Sequence, residues 1–214
     1  MNLINYYWYF TSAISSEVCD KIIKEGTAKK SQAGTIDKIG KNRDTEKQPL
    51  NKQEMETLTQ KRDSEVVFFS KKWIYDTIQP YVRIANKKAG WNFEWDWSEA
   101  AQFTIYTKGM HYNWHIDSLP EPYTNEGPLQ GKIRKLSGVL VLSDPKEYKG
   151  GDLEFQFQTE DPQFNKQRQV KVAKEVAPKG SIIIFPSFVW HRVKPVTQGV
   201  RYSLTTWHCG WPFK

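Results

Sequence analysis

Apolar side chains along the chain follow two different periods, and the change falls near Trp91. Before it, apolar residues recur at helical spacing and predict two helices, over residues 14–26 and 70–89. Gly26 and Gly90 stand where each helix would end, because glycine readily adopts the left-handed conformation that follows a helix. The first part of the chain is therefore predicted to be helical.

After Trp91 the apolar residues form short or alternating runs separated by Gly, Pro and Asp, a pattern typical of antiparallel strands. The predicted strands are residues 101–106, 111–116, 136–142, 153–157, 170–172, 181–185, 191–196 and 202–207. No helical segment separates them, which disfavours a parallel α/β fold. The pattern predicts a mainly β fold, an eight-stranded jelly roll with the two N-terminal helices packed on one sheet.

The segment between the predicted helices, residues 27–61, is polar and contains few large apolar side chains. Too little apolar surface is present to offset the entropy of ordering it, so much of this segment is expected to be a mobile loop. The predicted organisation is a single domain, residues 1–214. Residues 1–99 would provide helical support and the mobile loop, and residues 100–214 would form the jelly-roll core.

Composition narrows the class of protein. The 214 residues fit one domain, and no apolar run reaches the length of a membrane span. Cys19 and Cys209 are isolated, and residues 1–5 lack a secretory pattern, so a reduced, cytoplasmic protein is expected. The net charge of +7 is spread without a run of five basic residues, which favours an ordinary solvated surface over a nucleic-acid partner.

The motif His115-Ile116-Asp117 is the sharpest local signal among only four histidines. Residues i and i+2 of a strand share a face, so His115 and Asp117 can converge on one ion, with His191 as the natural third ligand. Two histidines and one carboxylate suit non-haem Fe(II), although zinc can use the same ligands. Taken alone, a strand histidine is more often a hydrogen-bonded core residue than a metal ligand.

Arg201 strengthens the prediction of a site. It lies in the next predicted strand, ten residues after His191, and an arginine rarely points into a barrel unless it meets an anion there. The planar guanidinium can bind a carboxylate through two parallel hydrogen bonds.

This ordered set resembles the Fe(II)/2-oxoglutarate-dependent dioxygenases, and more narrowly their prolyl 4-hydroxylase-like branch. The motifs that carry the resemblance are Tyr106-x-x-Gly109-x-x-Tyr112-x-x-His115-x-Asp117, Arg134-x-x-Ser137, Tyr148-x-Gly150-Gly151-x-Leu153-x-Phe155 and His191-x-Val193-x-Pro195-Val196 to Arg201-Tyr202-Ser203. They are distributed over most of the chain with consistent spacing.

The resemblance implies the double-stranded β-helix form of the jelly roll, and it implies an activity. Fe(II) would be held by His115, Asp117 and His191, while Arg201 and Tyr106 would bind the far carboxylate of 2-oxoglutarate. O2 and 2-oxoglutarate would be converted to succinate and CO2 as a proline in a peptide or protein is hydroxylated. L-Ascorbate is the expected reductant.

The resemblance also implies three substrate contacts, at Tyr112, Arg134 and Trp207. Each has another interpretation: the two aromatic rings could fill the barrel, and Arg134 could be a surface charge at a strand edge. Relatives that carry a tyrosine in the strand after Arg134 gain a further contact to the far carboxylate, whereas this chain has apolar residues at 139–141. Thr205 is a candidate to replace that contact.

Substrate choice is expected to depend on two loops, residues 33–61 and 119–131, of which the first would fold over a peptide. Hydroxylation of a free amino acid or another small molecule stays open, as does a non-catalytic metal-binding jelly roll. A nucleic-acid demethylase is disfavoured, because such enzymes usually carry a second arginine about six residues after the first, where this chain has Trp207.

Overall fold

A computed structural model describes residues 5–34, 52–118, 121–156 and 170–213. Its described α-helices are α1 (Ser16–Thr27), α2 (Lys52–Lys61) and α3 (Lys72–Lys88). The Ser15 hydroxyl caps α1 by accepting a hydrogen bond from the Val18 amide. No described helix combines the length and apolarity that crossing a membrane requires.

The strands of the described residues are numbered here in chain order. They are β1 (Trp8–Phe10), β2 (Gln32–Ala33), β3 (Arg62–Asp63), β4 (Glu65–Phe69), β5 (Trp97–Ser98), β6 (Ala101–Tyr106), β7 (His111–His115), β8 (Ile133–Val141), β9 (Tyr148–Gly150), β10 (Leu153–Gln156), β11 (Val170–Val172), β12 (Ile182–Pro186), β13 (Trp190–Val193), β14 (Val196–Gly199) and β15 (Arg201–Gly210). A short 3-10 helix, Lys174–Val176, follows β11.

The strands form a larger and a smaller antiparallel sheet. Within the described ranges the larger sheet has the order β1-β12-β8-β15-β6-β4-β2, with β5 paired to β15. The smaller sheet has the order β11-β10-β13-β7-β3, and β14 pairs with β9 apart from both. This arrangement confirms the predicted mainly β fold.

The two faces of the larger sheet bury different partners. Its outer face packs on the helices, where Ile22 of α1 and Ile78 of α3 join Phe103 and Leu204 in one apolar core. Its inner face contributes to a second core, shared with the smaller sheet. Alternation along each strand therefore directs one set of side chains to the helices and the other to the jelly-roll interior, as the sequence predicts.

Gly26 has a different role from the predicted one. It lies inside α1, which continues to Thr27, and a Cβ atom at this position would lie 2.4 Å from Cδ1 of Phe103. Glycine at this position therefore lets α1 approach β6 closely. Gly90 does follow the end of α3, with φ +78°.

The N-terminal part of the chain is less purely helical than predicted. Strands β1, β2, β4 and β5 all belong to the larger sheet, so residues 1–99 contribute to both the helices and the sheet. Residues 52–61 form α2 where a mobile loop is predicted. At the start of that predicted loop lies β2, and residues 35–51 of the loop lie outside the described residues.

Candidate metal centre

The three predicted metal ligands meet at the end of the smaller sheet. His115 on β7 and His191 on β13 are direct cross-strand partners. Asp117 follows β7, and its amide donates a hydrogen bond of 2.8 Å to the carbonyl of Ser187, in the turn after β12. One potential ligand atom from each of the three lies within 4.8 Å of the others. Two neighbouring strands and one turn thus position the group.

Both imidazole rings are held in the orientation that a metal site needs. Nδ1 of His115 lies 2.8 Å from the Asn113 carbonyl oxygen, and Nδ1 of His191 lies 3.0 Å from the Val189 carbonyl oxygen. A carbonyl only accepts, so Nδ1 of each ring carries a proton, and Nε2 is the atom that each ring turns towards Asp117. The Nε2 atoms lie 3.7 and 3.6 Å from the two carboxylate oxygens of Asp117.

The electrostatics of this group favour a bound cation. Burial, together with the neighbouring His191, lowers the pKa of His115 well below its ordinary value and keeps the ring neutral. Burial alone would raise the pKa of Asp117, but the two histidines and Arg134 outweigh it and lower that pKa. Oδ2 of Asp117 is buried and accepts no hydrogen bond among the described residues. A buried, ionised and incompletely bonded carboxylate beside the Nε2 atoms of two histidines fits a divalent metal ion such as Fe(II).

Arg201 lies in the same cavity as these ligands and is only 2% exposed. Its Nη1 donates to Ser203 Oγ at 3.3 Å, and no carboxylate pairs with it in the described part of the chain. Tyr106 is its direct cross-strand partner, and the guanidinium carbon lies 5.5 Å from the centre of the Tyr106 ring. Burying a cation without a counter-ion costs free energy, so this cavity is suited to binding an anion beside Arg201.

Gly151 makes room for the Arg201 side chain. Its φ of +66° is in the left-handed region, and a Cβ atom there would lie 2.8 Å from Cδ of Arg201. Any larger residue would be strained at this position and would displace the arginine.

The three predicted substrate contacts occupy different positions around the cavity. Tyr112 and Trp207 line it, and the Tyr112 ring stacks on His115 with 3.5 Å between ring centres. Arg134 lies behind Trp207, with its guanidinium carbon 4.2 Å from the centre of the indole ring. Nη1 of Arg134 lies 3.4 Å from the Asp117 carbonyl oxygen, so Arg134 also borders the metal ligands.

Two residues near the cavity are missed by the sequence reasoning. Glu99 binds Arg134 through two hydrogen bonds of 2.6 and 2.7 Å, and it also accepts one from the Tyr123 hydroxyl at 2.8 Å. Gln102 of β6 lines the cavity and is 6% exposed. Neither residue belongs to a recognisable motif. Glu99 lies between β5 and β6, where no strand pattern marks it, whereas an amide on the inner face of a strand is the signal that could have revealed Gln102.

The other two histidines, His111 and His208, lie outside the cluster of candidate metal ligands. His111 is partly exposed, and its ring nitrogens lie near the backbone carbonyls of Gly109 and Gln60. His208 is completely buried, with Nδ1 2.9 Å from Ser98 Oγ and Nε2 3.2 Å from Thr206 Oγ1. Burial, with Arg83 nearby, lowers the pKa of His208 to about 3.

The buried His208 predicts a loss of stability in mild acid. In the unfolded chain its pKa returns to about 6.5, so protons bind the unfolded state preferentially as the pH falls from 6.5 towards 3. Relative to His208→Gln, the wild-type free energy of unfolding should fall by about 2 kcal/mol between about pH 7.5 and 5. Urea unfolding of both proteins at each pH measures this; parallel pH profiles would contradict the assignment.

The arrangement of these residues has counterparts in known proteins. Residues 101–209 match the 2OG-Fe(II) oxygenase superfamily, where 2OG is 2-oxoglutarate. A PKHD-type hydroxylase from Pseudomonas fluorescens is 36% identical over 103 residues, which is 48% of this chain and 39% of that protein. The chain thus spans about two fifths of the length of the curated relatives it matches.

Solved structures share the fold over nearly the whole chain. The viral collagen prolyl hydroxylase vCPH from Paramecium Bursaria Chlorella virus-1, in its 2OG complex, has a TM-score of 0.61 at 20% identity and covers 97% of both chains. A prolyl hydroxylase from Trichoplax adhaerens, in complex with a hypoxia inducible factor oxygen degradation domain peptide fragment, has a TM-score of 0.62 at 14% identity. That match covers 96% of this chain and 84% of the other. At these identities the likeness establishes a common fold.

Proposed function

Because the chain belongs to the 2OG-Fe(II) oxygenase superfamily, we propose that it is a 2-oxoglutarate-dependent dioxygenase that hydroxylates a proline in a peptide or protein. The observation that carries the proposal is the buried Arg201 guanidinium, which has no described carboxylate partner and shares one cavity with His115, Asp117 and His191. A dicarboxylate that reaches from the metal ion to Arg201 would satisfy both ends of this cavity.

The chain's own residues would bind, orient and shield the reactants. His115, Asp117 and His191 would hold Fe(II) through Nε2 atoms and a carboxylate, as their backbone hydrogen bonds already orient the rings. When bound, Fe(II) supplies the redox chemistry by which O2 and 2-oxoglutarate give succinate, CO2 and one hydroxyl group on the substrate.

The co-substrate would be oriented by Arg201 and Tyr106. Arg201 would bind the far carboxylate through its guanidinium, and Tyr106 would donate a hydrogen bond from its hydroxyl group. Burial raises the pKa of Tyr106, which keeps this hydroxyl protonated and able to donate. The apolar side chains of Val139 and Leu153 line the same cavity and would exclude water around the co-substrate.

A proline substrate is supported by the aromatic walls of the cavity. Tyr112 and Trp207 both line it, and flat aromatic rings pack well against the apolar pyrrolidine ring. The prolyl hydroxylases of similar fold also support a peptide substrate, since one of them is in complex with a peptide fragment. Arg134, which lies beside Trp207, would contact the substrate. L-Ascorbate would serve as the reductant.

Mass spectrometry of proteins hydroxylated in a host lysate tests this proposal. The purified protein is incubated with the lysate, Fe(II), 2-oxoglutarate and ascorbate, and a matched sample lacks 2-oxoglutarate. We expect proline-containing peptides that gain the mass of one oxygen atom only in the complete mixture. Oxygen gained on another residue type would replace the proline assignment, and succinate release without any modified peptide would favour a small-molecule substrate.

A further inference from the structure

The inner face of the larger sheet presents three side chains whose polar groups have no hydrogen bond assigned to them in the proposed function. In the β6–β15 register Gln102 lies directly opposite Thr205, and Trp207 lies two residues further along β15. Residues i and i+2 of a strand share a face, so these side chains form one wall. All three line the cavity that contains the metal ligands and Arg201.

The hydrogen-bonding groups on this wall are incompletely used. The Gln102 side-chain amide donates to Thr104 Oγ1 at 3.0 Å, which leaves its carbonyl oxygen Oε1 without a partner among the described residues. Nε1 of Trp207 is buried, and it too donates to no acceptor in the described part of the chain. Oε1 of Gln102 is not fully buried and is open to the cavity, whereas a buried donor such as Trp207 Nε1 is normally paired. An open acceptor and an unpaired buried donor in one cavity fit a ligand that supplies both complements.

A secondary amide supplies both complements, because it carries one N–H donor and one carbonyl acceptor. We propose that Gln102 is a specificity-determining residue of the proposed dioxygenase: its Oε1 accepts the N–H of a peptide group whose carbonyl accepts from Trp207 Nε1. The inference rests on the proposed function and narrows its substrate to a residue inside a polypeptide.

The position of that peptide group follows from the chemistry of proline. Proline has no backbone N–H, so the amide that is recognised must be the one that follows it, built from the proline carbonyl and the next residue's N–H. Free proline has a carboxylate at the position of this amide. The carboxylate has no N–H to donate to Gln102, and the carbonyl oxygen Oε1 would repel its negative charge. The wall therefore favours a peptidyl proline over the free amino acid.

An amide-to-ester replacement exchanges one atom: it removes the N–H that Gln102 would accept and also weakens the carbonyl as an acceptor for Trp207. Variants at position 102 are therefore needed to separate the two effects. The probes are an Ala-Pro-Gly peptide with blocked ends and its analogue in which glycolate replaces glycine, so that an ester oxygen takes the place of the N–H. Calorimetry of the purified protein without added metal measures binding of each probe independently of turnover. We expect the wild type to bind the amide roughly fivefold more tightly than the ester.

Two variants at position 102 test whether Gln102 Oε1 accepts the hydrogen bond from the amide N–H. Gln102→Met removes the acceptor at similar size and should bring the two affinities to within about twofold of each other. Gln102→Glu keeps an acceptor and should retain the preference for the amide. The matched control is Gln79→Met, which removes a half-buried glutamine that donates to Ser98 Oγ outside the cavity; the preference should be unchanged.

The outcomes separate the two proposals. Three results would overturn the role of Gln102 and leave the proposed function standing. The first is equal affinity of the wild type for amide and ester. The others are a preference for the amide that survives in Gln102→Met, or one that disappears in Gln102→Glu. Failure to bind either probe, combined with succinate production when Fe(II), O2 and 2-oxoglutarate are supplied, overturns the peptide substrate and this inference together.

Discussion

Asp117→Ala should abolish Fe(II) binding and, with it, all conversion of 2-oxoglutarate to succinate. Asp117 provides the only carboxylate of the cluster that the described residues form, and imidazole ligands carry no negative charge to balance a divalent ion. We expect the Fe(II) affinity to fall by more than about 100-fold, since even residues that merely support a ligand contribute 10- to 100-fold. Competition titration with a coloured chelator measures the affinity, and succinate release measures the turnover.

The matched control for this change is His111→Ala. His111 lies on the same strand, four residues before His115, but its ring nitrogens lie near the backbone carbonyls of Gly109 and Gln60, and it lies outside the cluster. It should bind Fe(II) as the wild type does. If Asp117→Ala retained Fe(II) binding and succinate production while remaining folded by circular dichroism, the metal centre assigned here would be wrong.

Arg201→Met should raise the KM for 2-oxoglutarate by about 30-fold or more. Removing one partner of a buried, hydrogen-bonded charge pair costs about 2–5 kcal/mol, which corresponds to roughly 30- to 3,000-fold in affinity. Arg201→Lys should have a smaller effect, about tenfold, because an ammonium keeps the charge but loses the planar pair of donors. Succinate production measured against 2-oxoglutarate concentration gives KM and kcat for each variant.

Arg192→Lys tests whether the loss is specific to the cavity. Arg192 is on β13 beside His191, but its guanidinium binds Glu154 at 2.7 Å, and Arg192 does not line the cavity. Its replacement should leave the KM for 2-oxoglutarate unchanged. An Arg201→Met protein with wild-type KM would show that the far carboxylate binds elsewhere.

The strand pattern and the order of motifs predict the fold well, because both depend on local sequence. The bounds predicted for residues 101–106 and 170–172 are those of β6 and β11. The resemblance to the superfamily is confirmed by the match over residues 101–209. In addition, the predicted metal ligands converge on one cluster.

Features that depend on packing between distant segments were not predictable from local patterns. Glu99 forms hydrogen bonds with Arg134, which lies 35 positions later in the chain, and no pattern in a single sequence predicts a pairing at that separation. Gly26 resembles a helix terminator until Phe103 is seen to pack against it. Strand β4 is missed because a run of five residues gives too weak a periodic signal beside the polar segment that precedes it.

The order of strands in the larger sheet has a consequence for how this chain folds during synthesis. The last strand, β15, lies in the middle of that sheet between β8 and β6, and the first strand, β1, pairs with β12, so that Trp8 faces Ile184. A ribosome adds about 5–20 residues per second, so β1 waits on the order of ten seconds or more for its partner. The larger sheet cannot be completed until β15 emerges from the ribosome. Until then the unpaired strands of the nascent chain must avoid aggregation.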